Sequence, residues 1–549
     1  MTDAMASPAL DPSLIDSTNV LSSDPRTLPI GLPTPPSERK RVNQLDLKGP
    51  ERKRVKLEWP LKGKENAGAD VYSDSDSEGE GDVCGRAARY SVYDVRNRAM
   101  QAGPSSASRR VDLPTRSILQ TFVSSNKSDV FKCHSIHENL SVNIPYACSY
   151  SNAAKHGGVP HLAIATEQGT VDILNTSKRD DWDVEPQRVT VQPHENGIFD
   201  VKWSPSDTLI ATASGDHSIR ISTIVDGRLL HVLRGHEGTV KSVAWDPTHD
   251  GDVLCSGSRD GGICLWDLRV GERGDSGEVM PVLSIAKAHN LQGKTAKPKA
   301  PRGKLVPGVP LQSITHLLYT DTHTYGVISS CASEGILHLW DVRLPSSNAR
   351  PKAKKTAKQL PKPLFSSTDP TTYAGARRGR GITTLALGTG PTTALVFALG
   401  IDSRVHTYTL PSLAPLSGHM DSTSALGILD DPHAYSDERM KTNSFYVRMA
   451  TSPCGRWLAT GGAAEGRAYL YDISAAGRAG GHGHSGYGSG VELRGQTGEV
   501  GAVDWADGML ATCADDGTVR TWRPDIDVSR RCRDDPREMA WEWAWSTNA

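Results

Sequence analysis

Two copies of one short peptide, Leu265 Trp266 Asp267 Leu268 Arg269 and Leu339 Trp340 Asp341 Val342 Arg343, constrain this chain more than any other feature. Trp-Asp at the end of an apolar strand marks a propeller blade, a unit that buries its faces only against further copies of itself. An Arg two places later is not something that blade folding requires, so it points toward function.

The upstream residues fit the same reading. Between Leu254 and Trp266 an alternating strand runs into an Asp260-Gly261 turn and a second strand begins, which is hairpin chemistry. Gly235-His236 precedes it, and the spacing predicts that His236, Ser256, Asp260 and Trp266 form a hydrogen-bond chain that locks the blade and pairs its buried polar groups. The block recurs with losses. His194, Thr212 and Asp216 keep three members, with Ser222 at the Trp position; Asp516 and Trp522 keep the turn and the Trp, with Gln496 in place of His. Pro160 to Thr176 supplies a first blade. Thr383 to Leu410 supplies a weak one around the apolar run Ala394 to Leu399, and Ala414 to Ile473 another, with His419 as its histidine and Tyr471 in place of Trp. The expectation is an all-β, seven-bladed WD-repeat β-propeller over residues 141–525. Residues 111–140 lead in, and a strand near Ser117 to Ser125 closes the ring and removes an exposed sheet edge.

Composition agrees. With 52 Gly, 34 Pro and only 6 Phe in 549 residues, the chain suits a turn-rich β domain joined to an extension that dilutes the core to 37% hydrophobic residues. The nine Cys form no C-x-x-C pair and several fall at strand positions, which predicts a reduced compartment and no metal site. No stretch approaches the roughly 20 apolar residues of a membrane span, so the expectation is an intracellular, soluble protein with no membrane partner. The formal charge of −1 hides segregated blocks.

Residues 1–110 are rich in Pro, Ser and charge and predict disorder. Within them, Arg39, Lys40 and Arg41, then Arg52, Lys53, Arg54 and Lys56, form two basic clusters that read as a nuclear address. Thr34-Pro35 beside them fits a proline-directed phosphorylation site, and Ser73 to Glu80 is an acidic serine run. Lys64 Glu65 Asn66 is a degron-like tripeptide that chance explains better. Basic insertions near 287–310 and 344–380, assigned to blades four and five, are loops able to contact DNA nonspecifically or to meet an acidic partner; no interleaved aromatic side chains favour base stacking. Gly480 to His484 reads as a loop and not a metal site. Without a P-loop, nucleophile elbow or H-E-x-x-H, the chain offers no catalytic constellation and no cofactor; it is not expected to be an enzyme.

Several stretches together give a more specific likeness: Ala163 to Gly169; Asn196 to Trp203; Gly235-His236 followed by Val240 to Ala244; both Trp-Asp-x-Arg ends; Ala288 His289 Asn290 opening a Lys/Pro-rich insert; and Ser444 to Arg448. The chain resembles the denticleless family, the replication-coupled substrate receptors of cullin-4 RING ubiquitin ligases, in a fungal-type form. The resemblance implies that Trp266, Asp267 and Arg269, with Trp340, Asp341 and Arg343, dock on the damaged-DNA-binding adaptor, which carries cullin-4 and the RING subunit. It implies further that the opposite mouth receives substrates, such as a replication-licensing factor, held on the DNA-loaded sliding clamp. Lys241, Arg259, Tyr446 and Arg448 are the candidate substrate contacts. Two departures stand out: Trp522 is followed by Arg523, not Asp, and only a Trp-containing tail, 526–549, follows, without the clamp-interacting motif of animal members. The alternative is a nuclear chromatin- or histone-binding scaffold, which would need neither Arg269 nor Arg343.

Overall fold

The computed structural model describes residues 115–136, 142–269, 277–289, 312–343, 362–372, 378–416, 434–442, 444, 446–476 and 490–548. Both basic clusters, Thr34, the Lys64 tripeptide, the acidic serine run, His419 and Gly480 to His484 lie outside these residues.

Seven antiparallel four-stranded blades succeed one another along the described chain. Their innermost strands are Pro145–Tyr150, Ile198–Trp203, Val240–Trp245, Ile314–Tyr319, Ile382–Leu387, Met449–Thr451 and Val500–Ala506. Each of these strands touches the next, and the seventh returns to the first, so the ring is closed. Blade three continues outward through Val253–Ser258, Ile263–Asp267 and Leu283–Ile285; blade four through Gly326–Cys331, His338–Asp341 and Phe365–Ser366. The second strands of blades three, four, five and seven are buried at every residue, because blades on both sides cover them. Their near-continuous apolar and small-residue runs follow from that burial. Blade is tied to blade at the end of the inner strand, where Trp203, Trp245 and Trp505 donate their Nε1–H to the Ser149, Lys202 and Ala450 carbonyls of the preceding blade at 2.8, 3.1 and 3.2 Å.

The blade lock forms as the spacing predicts. His236 Nε2 lies 2.8 Å from Ser256 Oγ, its Nδ1 3.1 Å from Asp260, and Trp266 donates to Ser256 Oγ at 2.8 Å. His194, Thr212 and Asp216 repeat it. Gln496, counted from sequence as a loss, maintains the chain: its Oε1 accepts from Thr512 Oγ1 at 2.6 Å, and Thr512 accepts from Trp522 at 3.0 Å. A lock was missed in blade four, where His289 lies 2.8 Å from Ser329 Oγ and Trp340 donates to the same oxygen.

Three boundaries need correction. Ala414–Pro415 pairs with Tyr408 and Thr409 as the outer strand of blade five, so blade six begins only at its inner strand. What meets Thr460 and Tyr471 there is Met440, whose sulfur accepts from their hydroxyls at 3.6 and 3.1 Å. The basic stretch 287–310 precedes the inner strand of blade four, while 344–380 begins after that blade's third strand, contains its fourth, Phe365–Ser366, and runs on to the inner strand of blade five. Finally, the segment near 117–125 is a helical turn, Arg116–Leu119, followed by the strand Phe122–Ser125.

That last strand pairs with Thr518–Pro524 of blade seven, beside a second segment, Val130–Lys132, on the same edge. The segment that precedes blade one therefore completes blade seven. The tail reaches further than its sequence suggested. After a helix, Ile526–Asp534, capped by the Asp525 carboxylate accepting from Val528 N–H at 3.0 Å, the strand Trp543–Asn548 pairs with Phe122–Ser125 on one side and Val491–Arg494 of blade six on the other. Period-two alternation explains the fit. Ala544 and Ser546 are buried, while Trp543 and Trp545 pack on Val123, Val528 and Cys532. Blades six and seven thus share one ten-stranded sheet.

Candidate functional site

In six blades the pairing slips by one residue at the second position of the innermost strand, leaving Tyr146, Phe199, Lys241, Thr315, Thr383 and Gly501 in β-bulges. A bulge re-aims its side chain. In blades one to four the re-aimed residues Tyr146, Phe199, Lys241 and Thr315 line the channel mouth, whereas Thr383 is buried and donates to the Leu399 carbonyl. Blade six supplies Arg448 at the matching place, one residue after the fully buried Val447; its N–H donates to Gly501 O at 2.8 Å.

The result is a cavity of about 380 Å3 lined by Tyr146, Phe199, Lys241, Arg259, Ser313, Thr315, Ala332, Tyr446 and Arg448. All four residues singled out as substrate contacts are in its wall. Tyr146, Phe199 and Tyr446 stack with ring centroids 5.5, 5.5 and 6.0 Å apart and planes within 25° of one another. The Lys241 ammonium sits 3.7 Å above the Phe199 centroid and 5.2 Å from that of Tyr446. Arg448 crosses the mouth, where its Nη2 donates to the carbonyls of Phe199 and Lys241 at 2.8 and 3.1 Å. Burial, and then the positive fields of Arg448 and Arg259, pull Lys241 down to about 8. Burial, with Glu167 and Tyr446 nearby, pushes the Tyr146 hydroxyl up to about 12, so it stays neutral.

Sequence reasoning missed Tyr146 and Phe199. Their signal was present, as the residue following the first buried strand residue in each blade, but its meaning depends on the bulge.

Because each blade is an antiparallel meander, its inner strand begins at one rim and its third strand ends at the other. Arg269 and Arg343 follow third strands and so stand on the face opposite the cavity. Both are exposed, with side-chain accessibilities of 52% and 66%. Each guanidinium forks onto the Asp two residues before it: Arg269 donates to both oxygens of Asp267 at 3.0 Å, and Arg343 Nε to those of Asp341 at 2.9 and 2.8 Å. The pairing lowers both Asp carboxyls and fixes each Arg at the rim. Trp266 and Trp340, expected among the docking residues, are fully buried in their blades. They offer no surface to a partner and act by fixing the strand ends that carry Asp267 and Asp341.

A family model described as "WD domain, G-beta repeat" matches residues 185–221, 227–267 and 489–523. The chain is 29% identical to Denticleless protein homolog A of Xenopus laevis over 435 residues, 77% of this chain and 53% of that protein. It is 28% identical to the Homo sapiens Denticleless protein homolog over 433 residues, 75% of this chain and 50% of that one. With Cell division cycle protein cdt2 of Schizosaccharomyces pombe it shares 30% over 384 residues, 66% of each. The chain belongs to the denticleless family. It spans about half the length of the first curated relatives it matches. For this denticleless-family chain, the cavity and the two Arg peptides both fall within the propeller. Among the described residues no helix is long and apolar enough to cross a membrane.

Proposed function

We propose that the chain is the substrate-recognition subunit of a nuclear cullin-4 RING ubiquitin ligase. It docks on the damaged-DNA-binding adaptor through Arg269, Arg343 and their Asp partners. Across the cavity it presents replication-licensing or cell-cycle proteins bound to the DNA-loaded sliding clamp. It acts by positioning; ubiquitin transfer belongs to the associated RING subunit.

One observation carries this reading: two exposed, pre-oriented guanidiniums stand on one face while a cationic, aromatic cavity opens on the other. A receptor needs two such surfaces, so that holding the scaffold does not block the prey. An Arg fork already aligned by its Asp loses little conformational freedom on meeting acceptors in a partner. The test is binding of purified adaptor to wild-type chain and to the Arg269→Ala/Arg343→Ala double variant. The expected result is loss of adaptor binding with the propeller still folded; undiminished binding refutes the docking assignment.

A further inference from the structure

Lys241, Arg259 and Arg448 converge on the cavity, and no carboxylate lines it. Among the described residues no carboxylate pairs with any of the three; Arg448 spends its Nη2 donors on two neutral backbone carbonyls. Cations gathered in a partly desolvated pocket without a counter-charge are unfavourable, and a ligand that brings the missing charge relieves them. Beside them lie three ring faces within about 6 Å of one another. The Phe199 face is already covered by the Lys241 ammonium, so an incoming lysine-type cation would find that surface taken and its charge repelled.

We propose that the cavity selects an acidic peptide segment that also carries an aromatic side chain, the carboxylate held by Arg259, Lys241 and Arg448 and the ring laid against Tyr446 and Tyr146. This names the substrate chemistry of the receptor reading and rests on it. Arg forks suit a carboxylate because two parallel N–H donors meet its two oxygens. Arg259 occupies an exposed turn at the end of a blade-three strand, free to swing onto such a group.

The test uses the full-length chain and dye-labelled peptides of equal length: one containing Glu and Phe, and versions with Gln, Lys or phosphoserine for Glu, or Ala for Phe. Fluorescence anisotropy should show the Glu/Phe peptide binding at least tenfold more tightly than the Gln, Lys or Ala versions. Arg259→Glu, which changes an exposed side chain next to the blade-three lock but outside it, should weaken it tenfold or more and improve the Lys version, with urea unfolding unchanged from wild type as the check that the blade is intact. Equal affinity for Glu, Gln and Lys peptides, no effect of Arg259→Glu, or more than tenfold preference for phosphoserine overturns the inference. Substrate ubiquitination by the reconstituted ligase separates the two levels. If Arg259→Glu abolishes ubiquitination while no acidic peptide is preferred, the receptor reading survives and this inference fails. If the peptide preference holds while ubiquitination ignores Arg259→Glu, the cavity's role in substrate capture fails instead.

Discussion

The blade-three lock makes a quantitative prediction about pH. Burial disfavours a charged His236, but the Asp260 carboxylate 3.1 Å from Nδ1 outweighs it, with a contribution from Cys264, and holds the imidazole up at about 9. A raised pKa stabilises the fold fully below the unfolded value of 6.5, and that contribution is lost as pH climbs through about 9. At 1.36 kcal/mol per pKa unit the ceiling is about 3 kcal/mol. The depressed Asp260, at about 2, is the other half of the same pair and adds nothing further near neutrality. Blade seven shows how to remove the charge without breaking the lock, since Gln496 accepts from Thr512 just where His236 meets Ser256. His236→Gln should therefore keep the Ser256 bond and abolish the titration. His236→Ala should lose both bonds, at a cost of about 2–4 kcal/mol at neutral pH. Urea unfolding of wild type and His236→Gln from pH about 6.5 to about 9.5 tests this: the stability gap between them should shrink by up to about 3 kcal/mol across the range. A gap that stays constant with pH would refute a charged His236.

Other perturbations follow from the same contacts. Removing the strand Trp543–Asn548 unpairs the outer edges of both blade six and the Phe122–Ser125 segment, so thermal scanning should show a lower Tm and light scattering new self-association. Glu492 is fully buried beside Arg467, Arg494 and Arg439; Arg467 keeps Glu465 and the other two guanidiniums are about half exposed to water, so Glu492→Gln should cost about 1–2 kcal/mol in urea unfolding. Gly169 has φ +80° and its missing Cβ would strike the His194 carbonyl, so Gly169→Ala should destabilise by about 2 kcal/mol or more, read the same way.

Much of this was legible in the chain. Trp-Asp ends, the Asp260-Gly261 turn and the His236–Ser256 spacing are local chemistry, and local chemistry survives in sequence. The buried run of blade five showed itself because neighbours cover both its faces. Less visible was anything assembled from distant segments. Tyr146, Phe199 and Tyr446 come from three blades and meet at one mouth because bulges turn the first two there and the segment before the blade-six inner strand carries the third. Met440 replaces a histidine by shape and sulfur chemistry that no motif records. His289 was read as the start of an insertion because the basic residues after it dominate the local pattern, while its partner Ser329 lies 40 residues on. The Trp-containing tail could not be placed from sequence either, since its neighbours are Phe122–Ser125 on the edge of blade seven and the outer strand of blade six.

The central claim is a division of labour between two faces of one ring. Reconstituting the ligase with wild-type chain, the Arg269→Ala/Arg343→Ala variant and an Arg259→Glu variant, and measuring adaptor retention and substrate capture in each, tests it most directly. The account expects the double variant to lose the adaptor yet still capture substrate, and Arg259→Glu to keep the adaptor yet lose substrate. Loss of both partners in either protein, or of neither in both, would contradict it.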